Sequence, residues 1–171
     1  MRPRVLIVMG SDSDFEVMQE ARKALDEMGV ACEMRVSSAH RTPQRTGELA
    51  REAAARGLEV IICGAGAAAH LAGVVAAETE LPVLGVPLAS TDLGGLDALL
   101  AMVQMPGGVP VGTLAIGKSG ARNAGLLAAR ILARSDPAVA ARVKEQRERM
   151  GRDVEAKDQA LQTRLADAEK K

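Results

Sequence analysis

With 171 residues the chain has room for one domain with a full core and too few residues for two ordinary domains. Its 22 basic and 22 acidic side chains give a formal net charge of zero, so no global field draws it to nucleic acid or to an anionic membrane, and any anion site must be local. With no Trp, no Tyr and one Phe it lacks a platform for stacking bases, and its core must be built from Ala, Val, Leu, Ile and Met.

In chain order, Val5, Leu6, Ile7, Val8 and Met9 form an apolar run that stops at Gly10-Ser11-Asp12-Ser13-Asp14. This is the pattern of a buried parallel strand emptying into a tight turn. Ser13-Asp14-Phe15-Glu16 fits a capping box, with the Ser13 hydroxyl and the Glu16 carboxylate expected on free N–H groups of a new helix. The N-terminus of that helix, beside the Ser11 and Ser13 hydroxyls, suits the anionic group of a phosphorylated small molecule. A capped turn with no ligand satisfies the same pattern. Phe15, Met18, Ala21, Leu25 and Met28 recur at helical spacing, and Gly29 supplies a left-handed stop.

Residues 30–36 predict a weaker strand leading into Ser37-Ser38-Ala39-His40-Arg41-Thr42-Pro43. Thr42 as N-cap and Pro43 in the first turn open a second helix, which Gly57 closes. A third strand over residues 58–63 ends in Gly64-Ala65-Gly66-Ala67-Ala68-Ala69-His70, followed by a short helix over 71–78. A fourth strand over 82–87 leads to Ser90-Thr91-Asp92, then a helix over 96–103 and the loop Gln104-Met105-Pro106-Gly107-Gly108. The last strand is expected over 109–116, and Gly117-Lys118-Ser119-Gly120 turns into a helix over 121–133.

Five strands alternating with five helices specify an α/β domain over residues 1–135, a parallel five-stranded sheet with helices on both faces. Ligands of such sheets bind outside the carboxyl ends of the strands, which is where Ser11, Asp14, His40, Arg41 and His70 fall. A single histidine is most often structural, but these two are the protein's only ones and share an edge. Residues 136–171 form a different material. Val139, Met150 and Leu161 are eleven apart, as are Val143, Val154 and Leu165, the repeat of one long helix with a single apolar stripe. The expected arrangement is a helical extension packing on a neighbouring subunit; packing on its own domain or fraying at Gly151 are the alternatives.

Cys32 and Cys63 lie in apolar runs read as neighbouring strands, which points to free core thiols and a reducing, cytoplasmic setting. No apolar run reaches membrane-spanning length and no secretory leader layout stands at the N-terminus. No Cys, His and carboxylate spacing resembles a metal site. Two motif matches fail once placed on the elements. Gly112 to Ser119 satisfies the P-loop string, yet its middle is the apolar body of a strand. Gly64 to Ala69 satisfies a dinucleotide pattern, but the next strand ends without the acidic residue a ribose needs.

Taken together, Gly10-Ser11-Asp12-Ser13-Asp14, Ser38-Ala39-His40-Arg41-Thr42-Pro43, Gly64-Ala65-Gly66-Ala67-Ala68-Ala69-His70-Leu71, Gln104-Met105-Pro106 and Ala115-Ile116-Gly117 resemble the PurE family, the N5-carboxyaminoimidazole ribonucleotide mutases of purine synthesis. The resemblance spans residues 5–132. It implies a flavodoxin-like three-layer αβα sandwich, a homo-octamer whose neighbouring subunits complete the sites, and no metal or organic cofactor. It implies that His40 is the catalytic histidine and that Ser11, Asp14 and Arg41 bind substrate. The matching strings extend the expected substrate contacts to Ser13, Ser38, Gly64, Ala65, Gly66, Ala67, His70 and Leu71. Ser11, Ser13 and Arg41 would hold a phosphate, Asp14 the ribose hydroxyls, and the small residues from Gly64 a closed pocket for CO2; Lys118 and Ser119 are further phosphate candidates, and His70 is expected to line the pocket rather than react.

The chain departs from the family pattern at Phe15, where Trp is usual, and at Leu71-Ala72-Gly73-Val74, where Leu-Pro-Gly-Met is usual. A second class in the family carboxylates aminoimidazole ribonucleotide directly with CO2 and usually has lysine after the histidine, so Arg41 favours the mutase. The alternative from another class is a non-enzymatic module binding a phosphoribosyl ligand or a flavin. The aromatic residues that commonly sandwich a flavin are absent.

Overall fold

The computed structural model describes residues 2–168. Val5–Met9 forms β1, buried along its whole length because it is paired on both sides and covered on both faces. Around it the strands β2 (Cys32–Val36), β3 (Val60–Gly66), β4 (Val83–Leu88) and β5 (Gly112–Thr113) lie in the order β2-β1-β3-β4-β5. Every pairing is parallel. This is the strand order of the flavodoxin-like doubly wound sheet. The helices are α1 (Phe15–Glu27), α2 (Pro43–Glu52), α3 (Leu71–Ala76), α4 (Leu96–Val103), α5 (Lys118–Leu132) and α6 (Pro137–Ala168).

Side-chain alternation along the strands divides the core in two. Val5, Ile7 and Met9 pack with Met18, Leu25, Ala121 and Ala128 beneath α1 and α5, while Leu6 and Val8 pack with Ala50, Leu71, Ala98 and Met102 beneath α2, α3 and α4. The α1–α5 contact is close because its residues are small: Ala21, Ala24, Ala121, Ala124 and Gly125 are all buried. Cys32 and Cys63 are free thiols, but they are not on neighbouring strands as expected, since β1 lies between them and their side chains enter opposite cores.

Several expected boundaries differ; the helix expected over 121–133 already begins at Lys118 and the short helix expected over 71–78 ends at Ala76, while three differences have clear physical causes. The third strand runs on through Gly64 and Ala65 to Gly66, because β1 and β4 pair with it on both sides and hydrogen bonds override the low strand propensity of the glycines. The last strand shrinks to two residues, because it is an edge that contains Pro110, which has no N–H to donate; beyond it Leu114 and Gly117 still donate single bonds to Gly85 and Pro87. The second helix ends at Glu52 rather than at Gly57, which closes the following turn at φ +83°.

The tail is one helix that continues unbroken through Gly151, and residues 169–171 lie outside the described residues. Its first turns pack on the chain's own domain, burying Val139 and Gln146. Asp136 caps this start through the Ala138 and Val139 N–H groups and pairs with Arg4 at 2.6 Å. Further on, Met150, Val154, Leu161 and Leu165 are exposed.

Candidate active site

The chain passes from β1 to β2 on one side and returns to β3 on the other, opening a crevice at the carboxyl ends of β1 and β3. The crevice is a cavity of about 330 Å³. Four strand ends wall it: Gly10, Ser11, Ser13 and Asp14 after β1; Ser38, Ala39, His40 and Arg41 after β2; Ala65, Gly66, Ala69, His70 and Leu71 around the end of β3; and Ser90 after β4.

Ser11, rather than Ser13, is the capping residue of the first turn. Its Oγ accepts the Ser13 N–H at 3.3 Å, and Asp14 reciprocates by accepting the Ser11 N–H at 3.0 Å. The two overlapping Ser-x-x-acid strings resolve this way because Ser11 has the extended backbone of a capping residue, at φ −146° and ψ 158°, whereas Ser13 already lies inside the turn; Glu16 pairs instead with Lys118 at 2.6 Å. The Ser11 hydroxyl donates to Asp12 at 3.1 Å, so it must turn to face an anion. Burial raises the Asp14 carboxyl above the ordinary 3.8, a shift that the Ser11 N–H opposes and the nearby Asp12 charge reinforces.

Arg41 crosses the crevice mouth from the β2 side and donates through Nη2 to the Gly10 carbonyl at 3.0 Å. His40 and His70, thirty residues apart in sequence, meet with Nε2 of the first 2.7 Å from Nδ1 of the second. Their rings stand nearly perpendicular at 76°. Such a contact holds one hydrogen between two nitrogens, and the ring tautomers set which of the two donates it. His70 owes its position to a loop that bends through two non-glycine residues in the left-handed region, Ala67 at φ +52° and Ala69 at φ +44°.

Of the twelve expected contacts, Gly64 and Ala67 stand outside this wall. Gly64 lies within β3, where its missing side chain leaves room for Met18: a Cβ there would sit 2.3 Å from the Met18 sulfur. Ala67 shapes the loop by its backbone and is exposed. Lys118 is held away by Glu16, and neither it nor Ser119 lines the cavity. Ser90 is the polar side chain that sequence reasoning missed. Its place directly after the fourth strand was the available signal, since that edge is where ligands bind.

The sequence model of the AIR carboxylase family matches residues 4–153. The chain belongs to this family. Among relatives, N5-carboxyaminoimidazole ribonucleotide mutases from Thermotoga maritima and Bacillus subtilis are 56% identical over 160 residues and 55% identical over 162. These alignments cover 94% of this chain in both cases, and 92% and 100% of the relatives. The mutase of Mycobacterium tuberculosis is 57% identical over 165 residues, covering 96% of this chain and 93% of the relative. Among solved structures, Treponema denticola PurE superimposes with a TM-score of 0.85 at 28% identity, covering 94% of this chain and 99% of that one. The AIR carboxylase fold is therefore shared along nearly the whole length, and the cavity lies at that fold's switch point.

Proposed function

We propose that this cavity moves a carboxylate from the exocyclic nitrogen of N5-carboxyaminoimidazole ribonucleotide to its ring carbon, giving 4-carboxy-5-aminoimidazole ribonucleotide for purine biosynthesis. The high identity to named mutases over almost the entire chain supports the reaction. The observation that carries the chemistry is the His40–His70 contact on the cavity wall.

His40 protonates the nitrogen as its bond to the carboxylate breaks, leaving aminoimidazole ribonucleotide, CO2 and a neutral imidazole. The electron-rich ring carbon then attacks CO2, and the same imidazole removes the proton from that carbon, so atoms, charge and catalyst balance over one turnover. The small wall formed by Ala65, Gly66 and Ala69 keeps CO2 against the ring between the two steps. Arg41 and the Ser11, Ser13 and Ser38 hydroxyls hold the phosphate end, and Asp14 accepts from the ribose. Leu71 closes the pocket.

Direct carboxylation is the second reading, favoured by the family's own description. Arg41 after His40 favours the mutase. Turnover of N5-carboxyaminoimidazole ribonucleotide at low bicarbonate without ATP is the expected result; turnover only of aminoimidazole ribonucleotide with high bicarbonate makes the enzyme a carboxylase instead.

We further propose that the protein is a cytoplasmic homo-octamer in which α6 packs on a neighbouring subunit; the exposed stripe of Met150, Val154, Leu161 and Leu165 supports the packing. Truncation before Pro137 is expected to weaken assembly, and an unchanged mass by light scattering refutes this.

A further inference from the structure

We propose that Thr42 is the positioning residue of the His40–Arg41 turn, acting through Ser38 without touching substrate. The proposal rests on the reading of His40 as the acid/base. Thr42 occupies the N-cap of α2, yet its side chain makes no bond into that helix. A threonine in this place ordinarily accepts from the second or third N–H of its helix. Here the hydroxyl reaches backward: Oγ1 accepts the Ser38 N–H at 3.0 Å and donates to the Ser38 carbonyl at 3.0 Å. The Thr42 N–H donates to the same carbonyl at 2.8 Å. Both backbone groups of Ser38 are thus tied to Thr42, closing a five-residue ring with His40 and Arg41 inside it. Ser38 passes the constraint on, its Oγ accepting the Arg41 N–H at 3.2 Å.

The hydrogens beneath the ring can be assigned one by one. Thr46 Oγ1 donates to the Thr42 carbonyl at 3.1 Å, so in its 2.8 Å contact with Ser37 the hydrogen belongs to Ser37. The Thr42 hydrogen is spent on Ser38, which leaves the 3.4 Å approach of Ser37 to Thr42 without a hydrogen of its own. Ser37 and Thr46, 2% and 0% exposed, therefore form a fixed floor under the first turn of α2, and above it the Thr42 hydroxyl is spent entirely on the two backbone groups of Ser38. The same hydroxyl groups serve two separable tasks: Ser37 and Thr46 stabilise, while Thr42 aims.

Thr42→Val keeps the shape and removes the hydroxyl, whereas Thr42→Ser keeps the hydroxyl. Displacement of a reacting group by about 1 Å costs on the order of 100-fold. Thr42→Val is accordingly expected to lower kcat/KM by about 10- to 100-fold, mostly in kcat, with Thr42→Ser within about threefold of the parent. Ser37→Ala is the control for mere loss of a buried hydroxyl: its melting temperature falls, and its kcat/KM stays within about threefold. A second readout needs no turnover. The protein has two histidines, so its ring C–H spectrum holds two sets of signals. Thr42→Val shifts or broadens those of His40, while Thr42→Ser and Ser37→Ala leave them in place. Thr42→Val with unaltered histidine signals overturns the proposal, as does a Ser37→Ala activity loss matching that of Thr42→Val. A parent enzyme inactive on the mutase substrate overturns the function instead, and the histidine spectrum still decides the role of Thr42.

Discussion

Two glycine-to-alanine changes, both within helices, are expected to have opposite effects. In α5, a Cβ on Gly125 would lie 2.5 Å from the Ala21 carbonyl oxygen and 2.9 Å from the Ala24 Cβ. Ordinary contact begins at 3.4 Å, so α5 must retreat from α1 by 3.4 − 2.5 = 0.9 Å. The neighbours are backbone and a single methyl group, neither of which can swing aside, which places the overpacking cost near the upper end of the usual range, about 3 kcal/mol. Alanine recovers about 1 kcal/mol of helix propensity, leaving a net loss of about 2 kcal/mol. For a chain of this size that is a fall in Tm of about 4–8 °C. Gly151 in α6 has nothing within 4 Å of its added Cβ, so Gly151→Ala keeps the propensity gain and does not lower Tm. Thermal unfolding followed by circular dichroism at 222 nm measures both. A Gly125→Ala protein that melts at or above the parent temperature refutes the close packing of α1 on α5.

Ala67→Gly is expected to leave Tm unchanged or raise it by a few degrees. Relief of about 1–2 kcal/mol of left-handed strain at φ +52° outweighs the extra chain entropy of glycine; a fall of the size usual for Ala→Gly contradicts the strained loop. Because burial raises the Asp14 carboxyl, its contribution to stability is complete below the unfolded value and is lost as pH rises through the higher folded one. Asp14→Asn at pH 7 therefore does not lower Tm while it weakens substrate binding, and calorimetry with titration of the product checks both; a lower Tm with unchanged affinity makes Asp14 purely structural. Asp136 has the reverse sign. The Val139 N–H, with Arg4 beside it, holds the carboxyl below the ordinary range, so the anchoring of α6 is kept above the unfolded value and lost as pH falls through the folded one. Hydrogen exchange across residues 137–146 should rise on acidification, and its constancy refutes the anchor.

What could be read from the sequence was what depends on neighbours in the chain. The apolar run from Val5 to Met9, the spacing of Phe15, Met18, Ala21 and Leu25, and the left-handed Gly29 led directly to β1, α1 and its end. The parallel sheet followed from the alternation of elements, and with it the edge that gathers His40, Arg41 and His70. The unread features depend on partners far away in the chain. The glycines at the end of β3 look like a loop until Met9 and Val86 pair with Gly64 on either side. Ser90 reaches the cavity because Gly66 leaves it space: a Cβ there would lie 1.9 Å from the Ser90 hydroxyl.

The central claim is that His40 carries the proton in a cavity that binds the ribonucleotide by other groups. The measurement that tests it most directly is His40→Asn, with turnover of N5-carboxyaminoimidazole ribonucleotide and affinity for the product determined on the same folded protein. The expected result is loss of turnover by at least about 100-fold with binding largely retained, since removing general acid–base help costs roughly 100- to 10,000-fold. Turnover near the parent rate contradicts it, and loss of binding together with turnover makes His40 a structural or binding group instead.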